Sequence, residues 1–247
     1  MTIPFARVAD TDDPNHATPG YKSLVRLQRL KRYNTCLWQQ LAPFVGDRVI
    51  EAGSGIGNFT SFLLDRSRVI AVDLDPYYVS RLQQRIGHLP NVQVLQLDLN
   101  AKEAESLVHE KLDTVICMNV LEHLEDDRGT LESFYRLLAP GGRLVLVVPA
   151  HAALHGAIDR HIGHFRRYTK TEVTRKLEQA GFQTESAVYF NGLGAIGWFV
   201  NSILLRRKEV PGVQAYLFDW LVPLLSLEKQ FTMPFGLSVI SVGRKPK

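Results

Sequence analysis

Cysteine, methionine and long apolar runs are all scarce in this sequence. Two cysteines, Cys36 and Cys117, occur among 247 residues, far apart and in no CxxC pair. That spacing excludes a disulfide framework and a cysteine-based zinc site, and it suits a reducing cytosol. A chain of this length closes a full hydrophobic core without such staples. No stretch reaches the roughly 18 consecutive apolar residues of a membrane-spanning helix. Met1 to Gly20 has no apolar core of the kind a secretory signal carries, so a cytoplasmic location is expected.

Strong charge of one sign is also missing. The chain has 29 Lys and Arg against 25 Asp and Glu, a formal net charge of +4 and a pI of about 9.1. Basic residues gather at 26–32, 166–170, 206–208 and 244–247. At so mild an excess they read as solvated helix faces and a charged tail, and no nucleic-acid partner is expected.

What is present is a rhythm of short apolar strands and helices. Residues 1–20, with Pro4, Pro14 and Pro19, read as a flexible arm. Leu24, Leu27, Leu30, Leu37 and Leu41 predict a helix over 21–42. Strands are expected at 48–51, 69–73, 92–97, 114–118 and 144–148. Helices are expected at 59–65, from Pro76 to about Arg85, at 102–110 and at 130–138. Strands so apolar, alternating with helices, imply a parallel sheet covered on both faces, an α/β doubly wound fold. Beyond Pro149 come a His- and Arg-rich segment over 151–168, a helix at 171–180, a strand at 187–190, an apolar helical region over 191–230 and a last strand at 237–242.

A glycine-rich turn, Glu51-Ala52-Gly53-Ser54-Gly55-Ile56-Gly57, follows the first strand. Glycines there let backbone approach a ligand, and a helix beginning just beyond would offer free N–H groups. Asp73 closes the second strand, 20 residues past Gly53, where a carboxylate can accept both ribose hydroxyls. A dinucleotide site would have the spacing GxGxxG, but here Asn58 stands at the third glycine. An NAD(P)-binding oxidoreductase is therefore the alternative reading, and a non-catalytic cofactor-binding partner subunit is another.

Five segments in order carry a family resemblance. Val49–Gly57 resembles motif I of the class I S-adenosylmethionine-dependent methyltransferases. Val72-Asp73-Leu74-Asp75-Pro76 is similar to their ribose-binding strand, and Gln96-Leu97-Asp98 to their adenine-binding strand. Asn119-Val120-Leu121-Glu122-His123-Leu124 and Leu138-Ala139-Pro140-Gly141-Gly142 look like the segments flanking their fourth and fifth strands. The resemblance implies a mostly parallel seven-stranded Rossmann-like sheet with an antiparallel final strand, and S-adenosyl-L-methionine as cofactor. It implies that Glu51, Gly53, Gly55 and Gly57 face the methionine end and that Asp73 with Leu74 takes the ribose. Asp98 and Leu99 would flank the adenine, and Asn119 would contact the methionine end through its backbone. Tyr33 would close over the cofactor, as an aromatic does in similar proteins. Residues 21–247 are then one methyltransferase domain, with 20–42 and 191–230 as helical cap elements. Asp75 reads as a helix cap, whereas Glu122 and His123 read either as site or as packing residues.

The acceptor chemistry is expected in 151–168, which leaves the fifth strand at the sheet's carboxyl edge. His151, His155, His161, His164 and Tyr168 are the candidate bases, since a histidine titrates near neutrality. His151, His155 and Asp159 have i, i+4 spacing and would line one face of a helix. Such spacing can also hold a metal, but none is assigned. Gly163-His164-Phe165-Arg166-Arg167-Tyr168-Thr169 resembles a GHxRRYT-type segment of a bacterial methyltransferase subset, some of whose members are joined to or encoded near glycosyltransferases. That points to a small-molecule, sugar or lipid-linked acceptor, with Arg166 and Arg167 offered to a phosphate or carboxylate. The apolar stretch 192–205 ends in Arg206-Arg207-Lys208. It is expected to cap the acceptor pocket, and peripheral membrane contact through 192–208 is the alternative.

Overall fold

The computed structural model describes residues 18–225 and 233–247, with the side chains of 223–225 left aside. The expected arm before Thr18 and the end of the second apolar segment lie outside the described residues. Seven strands form one sheet: β1 (Arg48–Ala52), β2 (Arg68–Asp73), β3 (Val92–Gln96), β4 (Leu112–Met118), β5 (Leu138–Pro149), β6 (Gln183–Phe190) and β7 (Ser238–Arg244). Their order is β3-β2-β1-β4-β5-β7-β6. β1 to β5 pair in parallel, and β7 runs antiparallel between β5 and β6. This is the expected Rossmann-like methyltransferase architecture.

Alternation along each strand divides the core in two. Ile50, Val115 and Leu146 face one side, with Phe134 and Tyr168. Val49, Ile116 and Val145 face the other, with Leu41 and Leu82. Helix α3 (Pro76–Ile86) opens on Asp75, whose carboxylate accepts the Tyr77 N–H, as the Asp-Pro pair predicts. Helix α4 (Asp127–Leu137) is capped by Asp126, and α6 (Lys170–Gln179) opens with a Thr169–Glu172 capping box.

Some local expectations fail. Residues 19–41 form two helices, α1 (Pro19–Arg29) and α2 (Lys31–Leu41), because Leu30 leaves the helical region at ψ 69°. The N-terminus of α2 has no local side-chain cap. Asp219 supplies one from α8 (Gly212–Leu225), accepting the N–H groups of Arg32 and Tyr33 at 3.4 and 2.8 Å. A lone acid in an apolar helix is thus a cap for another helix. The helix expected at 59–65 is a single 3₁₀ turn, Thr60–Phe62. Thr60 Oγ1 donates to Glu51 and Asn58 Nδ2 to the Leu24 carbonyl, which commits the turn to its neighbours. Residues 102–110 likewise wind as 3₁₀ turns.

His151, His155 and Asp159 do not share a helix. His151 has φ 60°, a short 3₁₀ turn covers Ala152–Leu154, and α5 (Ala157–Ile162) begins only after Gly156. Gly156 is where the chain must run close to Ser202, whose Oγ would be 2.2 Å from an added Cβ. Helix α7 (Gly192–Trp198) continues as a π-helical segment, Phe199–Leu204, and with α8 covers the carboxyl edge of the sheet.

Candidate active site

The strand order reverses at β1, which pairs with β2 on one side and β4 on the other. Crevices at such switch points are where open α/β sheets hold ligands. Here the glycine turn after β1 and the loop after β4 meet so closely that a Cβ on Gly53 would lie 2.2 Å from Val120 Cγ2. Gly53 has φ 72° and Gly55 φ 52°, left-handed values that glycine adopts freely. Gly53 and Ser54 donate to the Val72 carbonyl. Gly55 donates to Asp73 Oδ2 at 2.7 Å, and Asp75 donates to Asp73 Oδ1 at 3.0 Å.

A cavity of ≈ 740 Å³ opens on this turn, within the roughly 300–1,000 Å³ of small-molecule sites. Of the expected cofactor residues, Tyr33, Glu51, Gly53, Gly55, Asp73, Leu74, Asp98, Leu99 and Asn119 line it. Gly57 does not. It turns the chain one step further back against Leu82, with φ 85°. Asp98 is exposed at the rim, where its carboxylate accepts the Asn100 N–H, while Leu99 is buried. Asn119 has φ 52°, and its N–H is spent on Val147. Tyr33 packs between Phe190 and Phe218.

Two carboxyls, Glu51 buried and Asp73 half-buried, set the electrostatics of this end. Burial pushes Glu51 up to about 8, against a hydrogen bond from Thr60 at 2.5 Å. Burial also raises Asp73, opposed by the N–H groups of Asp75 and Gly55.

The far wall is built from 151–168, though not as the sequence suggests. His161 and His164 line the cavity, and so do His123 and Arg167. His151 lies outside it, stacked on Tyr189 at 4.6 Å. His155 is turned away, its Nε2 near the His164 carbonyl at 3.0 Å. Tyr168 is a core residue whose hydroxyl donates to Asp127 at 3.1 Å; burial raises its pKa far above the usual phenol value. None of these three is placed to serve as a base. The arginines are not free for an acceptor anion either. Arg166 pairs with Asp127 at 3.1 Å, and Arg167 donates to Asp159 at 2.7 Å and to the Ala150 carbonyl at 3.0 Å.

A buried network stands behind that wall. Asp159 is fully buried and accepts from His164 Nδ1 at 2.8 Å, Arg167 Nε and the Gly156 N–H. Despite its burial, these partners hold it well below the usual carboxylate range. Glu122, also fully buried, has no hydrogen-bond partner among the described residues for either carboxylate oxygen, and burial raises it to about 8. His123, open to the cavity, lies edge-to-face on His164 at 4.7 Å, and desolvation by the surrounding chain, with the neighbouring His164, lowers it to about 4.

The roof was less legible in the sequence. Trp198, Asn201, Gln214, Ala215 and Phe218 come from the apolar cap, and Ser23, Leu24 and Leu27 from α1. Arg26 pairs with Glu209 at 2.7 Å and ties α1 to the segment between the π-helical turn and α8. No short motif marks these residues; only the apolar character of 191–230 hinted at them.

Comparisons with known proteins agree with this geometry. A methyltransferase-domain family model matches residues 50–144. A Mycolicibacterium smegmatis protein named as an S-adenosylmethionine-dependent methyltransferase is 31% identical over 197 residues, 74% of each chain. The ubiquinone biosynthesis O-methyltransferase of Xanthomonas euvesicatoria pv. vesicatoria is 30% identical over 67% of this chain and 73% of its own length. Among solved structures, the N-methyltransferase NodS from Bradyrhizobium japonicum WM9, in complex with S-adenosyl-L-homocysteine, superposes with a TM-score of 0.57. It is 20% identical and aligns over 93% of this chain and all of its own. The methyltransferase solved with the Haloferax volcanii activator Trm112 gives a TM-score of 0.62 at 18% identity, over 93% of this chain and 97% of that one.

The chain belongs to the S-adenosylmethionine-dependent methyltransferases. It is an enzyme of that class, and S-adenosylmethionine is its cofactor. The residues present fit that ligand. Ser54 Oγ is buried in the glycine turn without a partner among the described residues, and Asp73, with two lone-pair sites per oxygen, keeps acceptor capacity after binding two N–H groups. Glu51, held toward its neutral form by burial, would be drawn to ionise by a ligand carrying a sulfonium and an ammonium.

Proposed function

We propose that this enzyme methylates an acceptor with an apolar or lipid-linked body, which enters the cavity beneath the α7–α8 cap. The observation that carries the reading is the single cavity running from the glycine turn to His161, under a roof of Trp198, Ala215 and Phe218. Within it, Glu51 and the Gly53–Gly55 backbone would hold the methionine end. Asp73 would accept the ribose hydroxyls, Asp98 and Leu99 would flank the adenine, and Asn119 and Tyr33 would close the sides. When bound, S-adenosylmethionine supplies an activated methyl group for in-line displacement. The chain's part is alignment and exclusion of water. His161, on α5, is held by no hydrogen bond among the described residues, and it is our choice for the base that takes a proton from a hydroxyl or ammonium acceptor.

The cap surface supports a lipid-linked acceptor. Ten of the fifteen exposed large hydrophobics among the described residues fall between Ile196 and Leu221. Arg206, Arg207 and Lys208 lie within the same stretch, and Arg32 stacks on Trp220 at 4.0 Å. An apolar face edged by cations suits an anionic membrane surface. No helix among the described residues is long and apolar enough to cross a membrane.

Flotation with anionic vesicles tests the surface, and methyl transfer from isotopically labelled S-adenosylmethionine into a lipid extract, against soluble sugars, tests the acceptor. Expected are vesicle binding that falls with salt and with Trp220→Glu, and label in the lipid fraction. Label in free sugars alone, with no vesicle binding, would sink the lipid reading and leave a water-soluble acceptor.

A further inference from the structure

Glu122, His123 and His164 each present one donor atom, and the three atoms lie within 4.8 Å of one another. We propose that these side chains form a binding site for a first-row divalent transition metal, with its open positions facing the acceptor end of the cavity.

The histidines are oriented for ligation by groups behind them. His123 Nδ1 lies 3.2 Å from the Gly163 carbonyl, an atom that can only accept, so Nδ1 carries the hydrogen. His164 Nδ1 lies 2.8 Å from Asp159 Oδ1, and Asp159 is an ion-paired carboxylate facing Arg167. Its Nδ1 carries the hydrogen too. Both rings in their neutral form thus present an Nε2 lone pair. A histidine whose Nδ1–H is held by a carboxylate or a backbone carbonyl is the usual second shell of a metal ligand.

The third donor lacks a partner. Glu122 is fully buried, and neither of its oxygens accepts a hydrogen bond from any other of the described residues. A buried carboxyl in that state costs stability unless something pairs with it. Arg167, the nearest cation of the network, is spent on Asp159 and Ala150. His164 Nε2 stands 3.7 Å from Glu122 Oε1, too far for a hydrogen bond. It is close to the roughly 3.3 Å that separates two ligands of a tetrahedral ion bound at about 2.0–2.1 Å. Small side-chain rotations close the difference.

Two imidazoles and one carboxylate select zinc, manganese or iron over magnesium or calcium, which prefer all-oxygen sets. Three protein ligands leave positions open. His123 and His164 line the cavity, so those positions face the chamber assigned above to the acceptor, where an oxygen of the acceptor would complete the shell. Only this last step rests on the proposed acceptor chamber; the metal site itself does not.

The test is titration of the full, tag-free chain with Zn²⁺ by calorimetry and with Co²⁺ by absorption. The expected result is one equivalent bound, a Co²⁺ spectrum of low-symmetry nitrogen–oxygen coordination, and affinity lowered about tenfold or more by each of Glu122→Gln, His123→Ala and His164→Ala. His151→Ala, outside the cavity, should bind as the parent does. S-adenosylhomocysteine binding by each variant reports that the fold and the cofactor site persist, so failure of the metal site and failure of the methyltransferase reading are distinguishable. Absence of stoichiometric Zn²⁺ or Co²⁺ binding by the parent chain would overturn the proposal, as would undiminished binding in the three folded variants. Should a variant not fold, the parent's stoichiometry and Co²⁺ spectrum still decide.

Discussion

The carboxylate of Asp73 accepts the backbone N–H of Gly55 at 2.7 Å, so the residue that ends β2 holds the turn that follows β1. The glycine turn and the proposed ribose ligand are one unit. Asp73→Ala removes both the turn's anchor and the acceptor for the ribose. Hydrogen bonds to a charged group contribute about 1.5–3 kcal/mol, so S-adenosylhomocysteine affinity should fall by roughly tenfold to 150-fold. Calorimetry checks this; an unchanged Kd would remove Asp73 from the site.

Gly53→Ala should destabilise the fold as well as weaken the cofactor. The φ of 72° costs a non-glycine residue about 1–2 kcal/mol, and the new Cβ would collide with Val120. Val120→Ala in the same chain should recover the collision and leave the backbone cost. Urea denaturation of the two single variants and the double variant separates the parts.

In its proposed place at the methionine end, Glu51 should make cofactor binding pH-dependent. Burial holds it near 8, so the free enzyme carries it mostly protonated at neutrality. A cationic ligand prefers the ionised form. Binding should therefore tighten as pH rises from about 6 to 9, and Glu51→Gln should flatten its share of that rise. The same shift affects stability with opposite sign. A carboxyl raised on folding favours the folded state below its unfolded pKa, and that contribution is lost as pH climbs from about 4.5 to about 8. Relative to Glu51→Gln, the ligand-free parent should lose stability across that window in urea melts.

His161→Asn should lower kcat by about 10²–10⁴-fold if the acceptor gives up a proton in the rate-limiting step. Cofactor affinity should stay near the parent value, because His161 stands on the wall proposed for the acceptor. A pH–rate profile that kept its acidic limb in the variant would assign the base elsewhere.

Tyr168→Phe should act on stability rather than chemistry. It deletes a buried hydroxyl bonded to Asp127, while Lys176 and Arg166 still pair with that carboxylate. A loss of about 1–3 kcal/mol in unfolding free energy is expected, with cofactor affinity unchanged. A large drop in kcat in a fully folded variant would return Tyr168 to the active site.

The sequence by itself determined the sheet, the cofactor turn and the class of chemistry. Those rest on local signals: short apolar strands alternating with helices, a glycine-rich turn, and an acid at a strand end. Each is set by neighbours within a few residues, so Gly53, Gly55 and Asp73 were readable directly. Tertiary structure alone decided which side chains line the far end of the cavity. His151, His155, His161, His164 and Tyr168 look alike in sequence. Gly156 and Gly163 break the local helix and send those side chains in different directions, two onto the cavity wall, two aside and one into the core. It also decided what Asp219 caps, because Arg32 lies 187 positions away and meets it only where α8 packs on α2, and what Arg167 pairs with, because Asp159, eight positions away, comes within reach only through the turn that ends α5 at Gly163. Glu122 shows the reason most plainly: nothing in its neighbours announces a buried carboxyl without a partner, since burial is a property of the whole packed chain.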